Sequence, residues 1–328
     1  MRHDIITFGS ATVDIFVRAK DFFVKRGKEF ITGKGICFSF PSKIDVNDIC
    51  LATGGGGTNV AATFSSWGLK TAYCGKIGED VLGKEVSKDL KGFDIDTKFL
   101  FKTRKKPTNS SVIFSAGRDR TVFVFRGSSE TLKKGEIPWD KLKADWFFLA
   151  PLSGKLSRLF VPLVNFARKN KIKIACNPGN SQISLSKKSL ESALSKIDIL
   201  ILNQEEASLL TQIPYYKEED VFKKLDLLVP GITVMTKGKE GVVVSDGNYI
   251  FKSKAPSTKV VEKTGAGDAF GSGFVAGFIK KGNIPYAIQL GMANATSCVQ
   301  EIGAKKGLLE KKKLPSALKI KVQKNELS

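Results

Sequence analysis

Val260-Val261-Glu262-Lys263-Thr264-Gly265-Ala266-Gly267-Asp268-Ala269-Phe270 is the stretch on which the fold turns. Gly265 and Gly267 leave the main chain bare just before a helix, which the spacing of Phe270, Phe274, Val275, Phe278 and Ile279 predicts over residues 268–280. The first amides of a helix have no partner within it, and the helix dipole adds positive potential at that end. Bare amides at such a start make an anion hole. Asp268 shares the turn, where the potential keeps its carboxylate ionised. A carboxylate beside an anion hole can take the proton of a hydroxyl that attacks a phosphoryl group held by the amides. Two structural readings stand beside this one: Asp268 as an N-cap, and the glycines as a tight strand–helix joint.

Outward from this turn, apolar runs at 4–8, 71–76, 146–149, 173–176, 197–202, 233–236 and 241–244 read as strands. Several lack alternation, as expected of parallel strands covered on both faces. Helical spacing marks 59–67, 84–90, 158–169 and 204–210 between them. Alternating strands and helices predict an α/β fold with a doubly wound, mostly parallel sheet. Residues 15–50 and 97–127 break the rhythm with strand patterns and no helices, including a hairpin that turns at 116–120. They predict a small β-sheet lid over a core made of 1–14, 51–96 and 128–310, with a basic C-terminal tail at 311–328.

The 328 residues, 42% hydrophobic and 26% charged, exclude wholesale disorder. Five cysteines with no CxxC pair argue against a disulfide scaffold or structural zinc and fit a reducing cytoplasm. His3, the single histidine, leaves no His-based metal site or triad. No apolar run reaches the ~20 residues of a membrane span, and residues 4–8 open a strand, not a signal-peptide core. Lys+Arg 53 against Asp+Glu 32 gives +21. That excess suits nucleic acid, a polyanionic small molecule or merely a solvated Lys-rich exterior. Arginine clusters are absent and aromatics do not interleave with the lysine runs, so a non-catalytic nucleic-acid-binding protein is the weaker reading.

Further motifs add chemistry. Gly54-Gly55-Gly56-Gly57-Thr58-Asn59 precedes a helix and suits a hinge or a close approach to ligand, with Asn59 able to donate to and accept from a hydroxyl. Asn203-Gln204-Glu205-Glu206 ends an apolar strand, where open α/β sheets bind ligands, and Glu206 could order Mg2+ through water or simply favour a helix start. Thr236, Gly238 and Gly241 read as a turn able to admit a nucleotide. Gly78 to Lys84 fits G-x-x-x-x-G-K, but Glu85 stands where a P-loop needs Ser or Thr. Gly271 falls one residue too late for a dinucleotide fingerprint after Gly265 and Gly267, which disfavours a nicotinamide-dependent oxidoreductase.

Together these motifs, from Phe8 to about Gly307, resemble the ribokinase-like (PfkB) family of carbohydrate kinases. The resemblance implies ATP-dependent phosphorylation of a sugar hydroxyl, with a nucleoside as the alternative acceptor. Asp268 would be the catalytic base, and Gly265, Ala266 and Gly267 the anion hole. Asp14, Gly54, Gly55 and Asn59 would bind the substrate. Asn203, Thr236, Gly238, Gly241, Asn294 and Gly303 would lie along ATP, with Glu206 serving Mg2+. The lid would exclude water on closing and is a candidate for homodimer pairing. Two departures stand out. Glu262 and Lys263 replace an Asp-Thr pair tied to a monovalent cation, which leaves potassium activation open. Asn177-Pro178-Gly179-Asn180-Ser181 lacks the arginine of an Asp-x-Asn-x-Arg stretch, so Arg104, Arg118 or a lysine would have to supply that charge.

Overall fold

A computed structural model describes residues 2–18, 23–30, 33–116, 119–311 and 320–326. The chain runs β1 (His3–Phe8), β2 (Thr12–Arg18), β3 (Phe23–Arg26), β4 (Lys34–Cys37), β5 (Asp48–Gly54), α1 (Gly56–Ser66), β6 (Thr71–Gly78), α2 (Val81–Gly92), β7 (Leu100–Thr103), β8 (Asn109–Ala116) and β9 (Asp119–Phe125). It continues through β10 (Ala144–Leu149), α3 (Phe160–Lys169), β11 (Lys173–Cys176), α4 (Asn180–Ile183), α5 (Lys187–Leu194), β12 (Ile199–Asn203), α6 (Gln204–Thr211), α7 (Glu218–Leu228) and β13 (Ile232–Thr236). Last come β14 (Val242–Ser245), β15 (Tyr249–Ser253), α8 (Ala266–Lys281), α9 (Ile284–Cys298) and β16 (Gln323–Glu326).

Ten strands form one sheet in the order β16-β15-β14-β13-β12-β11-β10-β1-β6-β7. From β13 to β7 every pairing is parallel, and β14, β15 and β16 add an antiparallel edge. The period of two along each strand sends alternate side chains to two cores. Ile6, Phe8, Phe147 and Leu149 face one layer with α3, α5 and α7, while Ile5, Trp146 and Phe148 face the other with α1, α8 and α9. Both faces are covered, so these strands read as continuous apolar runs.

A second sheet, in the order β5-β2-β8-β9, carries the strands expected of a lid, and β3 pairs with β4 apart from it. Three boundaries differ from the sequence reading. Asp14, expected in the core segment 1–14, belongs to β2 of the small sheet, because the chain turns at Gly9-Ser10-Ala11 before it. Within 97–127, Leu100–Thr103 pairs with β6 in the large sheet. Within the basic tail, Gln323–Glu326 pairs with β15 as the sheet's last strand, and the Lys324 ammonium lies 3.5 Å from the Tyr249 ring centroid. Of the expected hairpin turn, 117–118 lies outside the described residues.

The P-loop look-alike is explained by capping. Asp80 is the N-cap of α2 and accepts from the Gly83 amide at 2.7 Å and the Thr108 amide at 2.7 Å. Among the described residues, no helix is long and apolar enough to cross a membrane.

Candidate functional site

The chain leaves β1 on one side towards β6 and β7, then crosses to β10 and builds outward on the other side. Strand order therefore reverses between β1 and β10, and the crevice past their C-terminal ends is where open α/β sheets hold ligands. α1 and α8 both begin there. A Cβ on Gly56, the first residue of α1, would lie 3.2 Å from Ala150 and Pro151 past β10 and 3.7 Å from the Asp268 Oδ1 of α8. Two helix N-termini thus converge on one carboxylate.

Gly265, not Asp268, caps α8. Its φ of 82° is left-handed, and a Cβ there would meet the Ala304 Cβ at 2.3 Å, so glycine is required. The Ala266 amide bonds to the Lys263 carbonyl at 3.2 Å, whereas among the described residues nothing accepts from the amides of Gly265, Gly267 or Asp268. The free donors are therefore these three, and Ala266 drops out of the expected anion hole because its own N–H is taken. Asp268 is half-buried, and its Oδ2 accepts from Asn59 Nδ2 at 2.8 Å. Desolvation pushes Asp268 above the usual aspartate value, the Asn59 bond offsets part of that, and the negative charge of Asp14 adds to it. Asn59 itself is buried, and its Oδ1 has no partner among the described residues.

Asp14 enters from the small sheet. It is 8% exposed, and its Oδ1 accepts from Ser111 Oγ on β8, one strand over in register. Burial raises Asp14, with the Ser111 bond and the charges of Lys305 and Arg120 opposing. Gly54, in β5, is opposite Thr12, and a Cβ on it would sit 2.2 Å from Asp14 Oδ2. Gly55, with φ 94°, would press its Cβ to 2.5 Å from the Ser10 carbonyl oxygen.

Asn203 and Glu206 form a capping box on α6: Asn203 Oδ1 accepts from the Glu206 amide at 2.8 Å, and Glu206 Oε2 accepts from the Asn203 amide at 2.9 Å. Burial raises Glu206, opposed by hydrogen bonds from Asn203 and Asn177 and reinforced by the charges of Glu205 and Asp268. Glu206 and Asp268 therefore share one field across the strand ends. Thr236 is paired with Asn203 on the neighbouring strand. Gly238 and Gly241, with φ of 55° and 104°, shape the tight turn from β13 to β14. Among the described residues, no three His, Cys, Asp or Glu side chains cluster as metal ligands. The hard oxygens of Asn203, Glu206 and Asp268 suit a Mg2+ that keeps most of its shell from water and phosphate.

One expectation is corrected, and two others are located. Asn294 is fully buried; its Nδ2 donates to the Ala269 carbonyl at 2.8 Å and to Thr63 Oγ1 at 3.3 Å, and its Oδ1 accepts from the Leu309 amide at 2.9 Å. It ties α1, α8 and α9 together and offers a nucleotide nothing. Gly303 faces the small sheet, where a Cβ would reach Ala52 of β5 at 2.9 Å. Arg104 pairs with Glu79 at 2.6 Å with its side chain 88% exposed, and Arg118 lies outside the described residues.

The sequence reading missed Arg120, Lys305 and Ser111. Lys305 is 6% exposed and donates to Asp89 Oδ2 at 2.7 Å and Thr53 Oγ1 at 3.1 Å. Arg120, on β9, ion-pairs with Glu262 and donates to Thr264 Oγ1 at 2.8 Å. Each acts over a long sequence separation, and only the parity of β9, set against β2, could have placed Arg120 on the face that carries Asp14.

Comparison with known proteins gives the family and the fold. A sequence model of the pfkB family carbohydrate kinases matches residues 7–312. A ribokinase of Haemophilus influenzae is 28% identical over 94% of this chain and 96% of its own length. A nucleoside kinase of Methanothermobacter thermautotrophicus is 28% identical over 76% of this chain and 79% of its own. Among solved structures, Arabidopsis thaliana ribokinase complexed with ribose and ATP superposes with a TM-score of 0.76 at 21% identity, covering 95% of this chain and 97% of that one. An E. coli protein provisionally assigned as Ribokinase II, in complex with ATP and Mg2+, gives 0.78 at 17% identity over 94% and 96%.

Proposed function

The chain belongs to the pfkB family of carbohydrate kinases, phosphotransferases with an alcohol acceptor, and from that premise we propose that it transfers the γ-phosphoryl group of ATP to a hydroxyl of a sugar. The observation that carries this reading is the Asp268 carboxylate, raised by burial and bonded to Asn59, beside three unpartnered amides. Asp268 takes the acceptor proton, and a base whose pKa is raised towards the working pH suits that task. The amides of Gly265, Gly267 and Asp268 hold the transferring group as its charge spreads. Asn59 Oδ1 and Asp14 orient the acceptor, with Gly54 and Gly55 admitting it close to the main chain.

The nucleotide lies along Asn203, Thr236, Gly238 and Gly241, where β12 and β13 end side by side. Glu206 would help to hold Mg2+, which when bound would offset phosphate charge. Potassium activation finds less support. Glu262 already accepts from Arg120, Thr264 Oγ1 and the amides of Lys263 and Thr264. The small sheet acts as a lid that excludes water. Its outer face carries Ile49, Leu51, Phe123 and Phe125, each about half exposed, which supports pairing of two copies through that face. Five free thiols, three of them buried, support a cytoplasmic setting.

The test is a screen of sugars and nucleosides for acceptor-dependent ADP release from Mg-ATP. A sugar that releases ADP in step with its own phosphorylation supports the reading. A nucleoside acceptor moves it to the alternative, and acceptor-independent release alone removes it.

A further inference from the structure

Glu262 is a carboxylate 6% exposed on a loop that packs on the core, and the amides of Val261 and Glu262 bond to the Val299 carbonyl at the end of α9. The residues that follow it build the anion hole. Among the described residues, the side chain that reaches Glu262 from the small sheet is Arg120, 142 residues earlier in the chain. One guanidinium nitrogen of Arg120 contacts both Glu262 Oε1 and Thr264 Oγ1, the second at 2.8 Å. That same Glu262 oxygen accepts from the Lys263 amide at 2.8 Å, the Thr264 amide at 3.1 Å and Thr264 Oγ1 at 2.9 Å. Glu262 is thus a knot that fixes the turn immediately before Gly265.

Register places Arg120 opposite Ser115 on β8, which is opposite Arg18 on β2, so its side chain shares a face with Asp14 and Ser111. Asp14 feels its charge. Glu262 is buried and Arg120 partly so, and removing one partner would leave the other charge uncompensated, a larger loss than at a surface ion pair. Elsewhere the small sheet meets the core through Gly303 against Ala52, through Val13 packed with Val86 and Leu90 of α2, and through Thr53 Oγ1, which donates to Asp89 Oδ2 at 2.7 Å and accepts from Lys305 at 3.1 Å; none of these contacts touches the turn before Gly265.

We propose that Arg120 is a positioning residue of the reaction: it clasps the lid strand β9 to Glu262 and Thr264, so that lid closure and alignment of the Gly265–Asp268 amides are a single event. This deepens the kinase reading and rests on it only for the kinetic consequence; the clasp itself is testable without turnover. When acceptor settles against Asp14 the lid comes down, Arg120 reaches Glu262, and the turn before the anion hole is locked. Without the clasp, the lid still folds but the amides and the acceptor lose their common frame. ATP can then sit in a site open to water.

The experiment uses Arg120→Ala, Arg120→Lys, Glu262→Gln and the Arg120→Ala/Glu262→Gln double variant of the full chain. Amide hydrogen exchange of each is followed at 109–125 and 262–268 with Mg-ADP present. The clasp predicts faster exchange in both segments for Arg120→Ala, about 10-fold or more, and no further increase in the double variant, because directly coupled partners are not additive. Additive effects, or unchanged exchange at 262–268, overturn the clasp whether or not the protein is a kinase. With an acceptor identified, Arg120→Ala should lower kcat/KM for that acceptor by about 10-fold or more, leave the KM for ATP within about twofold, and raise the share of ATP hydrolysed without transfer. Arg120→Lys, which keeps the charge but not the two-point contact, should recover part of the loss. Equal losses for Lys and Ala, with no rise in idle hydrolysis, would reduce Arg120 to a packing contact and refute the positioning role.

Discussion

Replacing Asp268 by Asn separates chemistry from stability in opposite directions. Asparagine can still present an oxygen to Asn59 Nδ2, which sits 2.8 Å from the present carboxylate, so the local geometry survives. What goes is the group that accepts the proton. A positioned general base contributes about 10²–10⁴-fold, or about 2.7–5.5 kcal/mol of barrier, and turnover at saturating acceptor and ATP should fall by that factor. Stability moves the other way. Asp268 is raised above 3.8 by desolvation, with the charge of Asp14 adding to it. A raised carboxylate binds its proton more tightly folded than unfolded, so its ionisation costs stability progressively as pH climbs from the ordinary value to the raised one, and fully above that. The amide that replaces it does not titrate. The variant should melt at or above the parent at pH 7, and the gap should close in acid. Turnover within about threefold of the parent would refute the base. So would a lower melting temperature at pH 7 accompanied by loss of ATP binding, because the kinetic loss would then be structural.

Three further outcomes follow from neighbouring contacts. Asn59→Ala removes the hydrogen bond that favours ionised Asp268, so the acid limb of kcat/KM should move to higher pH; an unmoved limb would detach that limb from Asp268. Gly54→Ala puts a methyl group 2.2 Å from where Asp14 Oδ2 lies, so the KM for acceptor should rise steeply while the KM for ATP holds, and parallel changes in both would argue against an acceptor role for Asp14. Lys305→Met strips the buried partner from Asp89 and should cost on the order of 3 kcal/mol in denaturant unfolding; because Lys305 also holds Asp14 down, the variant should need higher pH for acceptor binding, and unchanged binding would place Lys305 outside the site.

What the sequence discloses here is local, and what it hides is long-range. The Thr264 to Phe270 turn is legible because glycines, an acid and a helix-period apolar run adjoin one another within seven residues. The strands are legible because burial on both faces leaves no polar alternation. Glu206 is legible as a candidate but ambiguous, since a capping box and a metal-facing acid use the same Asn-x-x-Glu spacing, and here the capping box is present. Asn294 enters as a nucleotide contact through the family resemblance alone, and nothing near it in the sequence announces that its amide is enclosed between α1, α8 and α9. Arg120 and Lys305 escape altogether. Their partners lie 142 and 216 residues away, and a lysine such as Lys305 that ends buried looks the same as its solvated neighbours Lys306 and Lys311. The Lys-rich end likewise conceals β16, whose pairing with β15 leaves no period-two apolar trace.

The division of the site between two sheets carries a consequence for its chemistry. Asp268, Asn59 and Glu206 belong to elements of the large sheet's domain, whereas Asp14, Gly54, Ser111 and Arg120 ride on the small one. Neither set is a site alone. On the proposed reaction the core carries the base, the amides and Asn59, and the small sheet carries Asp14, the second group that orients the acceptor, but no base. Three carboxylates in one crevice also repel one another and the nucleotide, and each of Asp14, Glu206 and Asp268 is raised by burial. On the proposed lid closure, bringing the small sheet down would add the cation of Arg120 against Glu262 and bring Thr53 of β5 against Lys305 as water leaves. Charge compensation and water exclusion therefore arrive together. A lid that closed without its cation would desolvate an uncompensated acidic cluster, a state disfavoured by the low dielectric it creates, and so the closed form is selected by the same residues that make it competent.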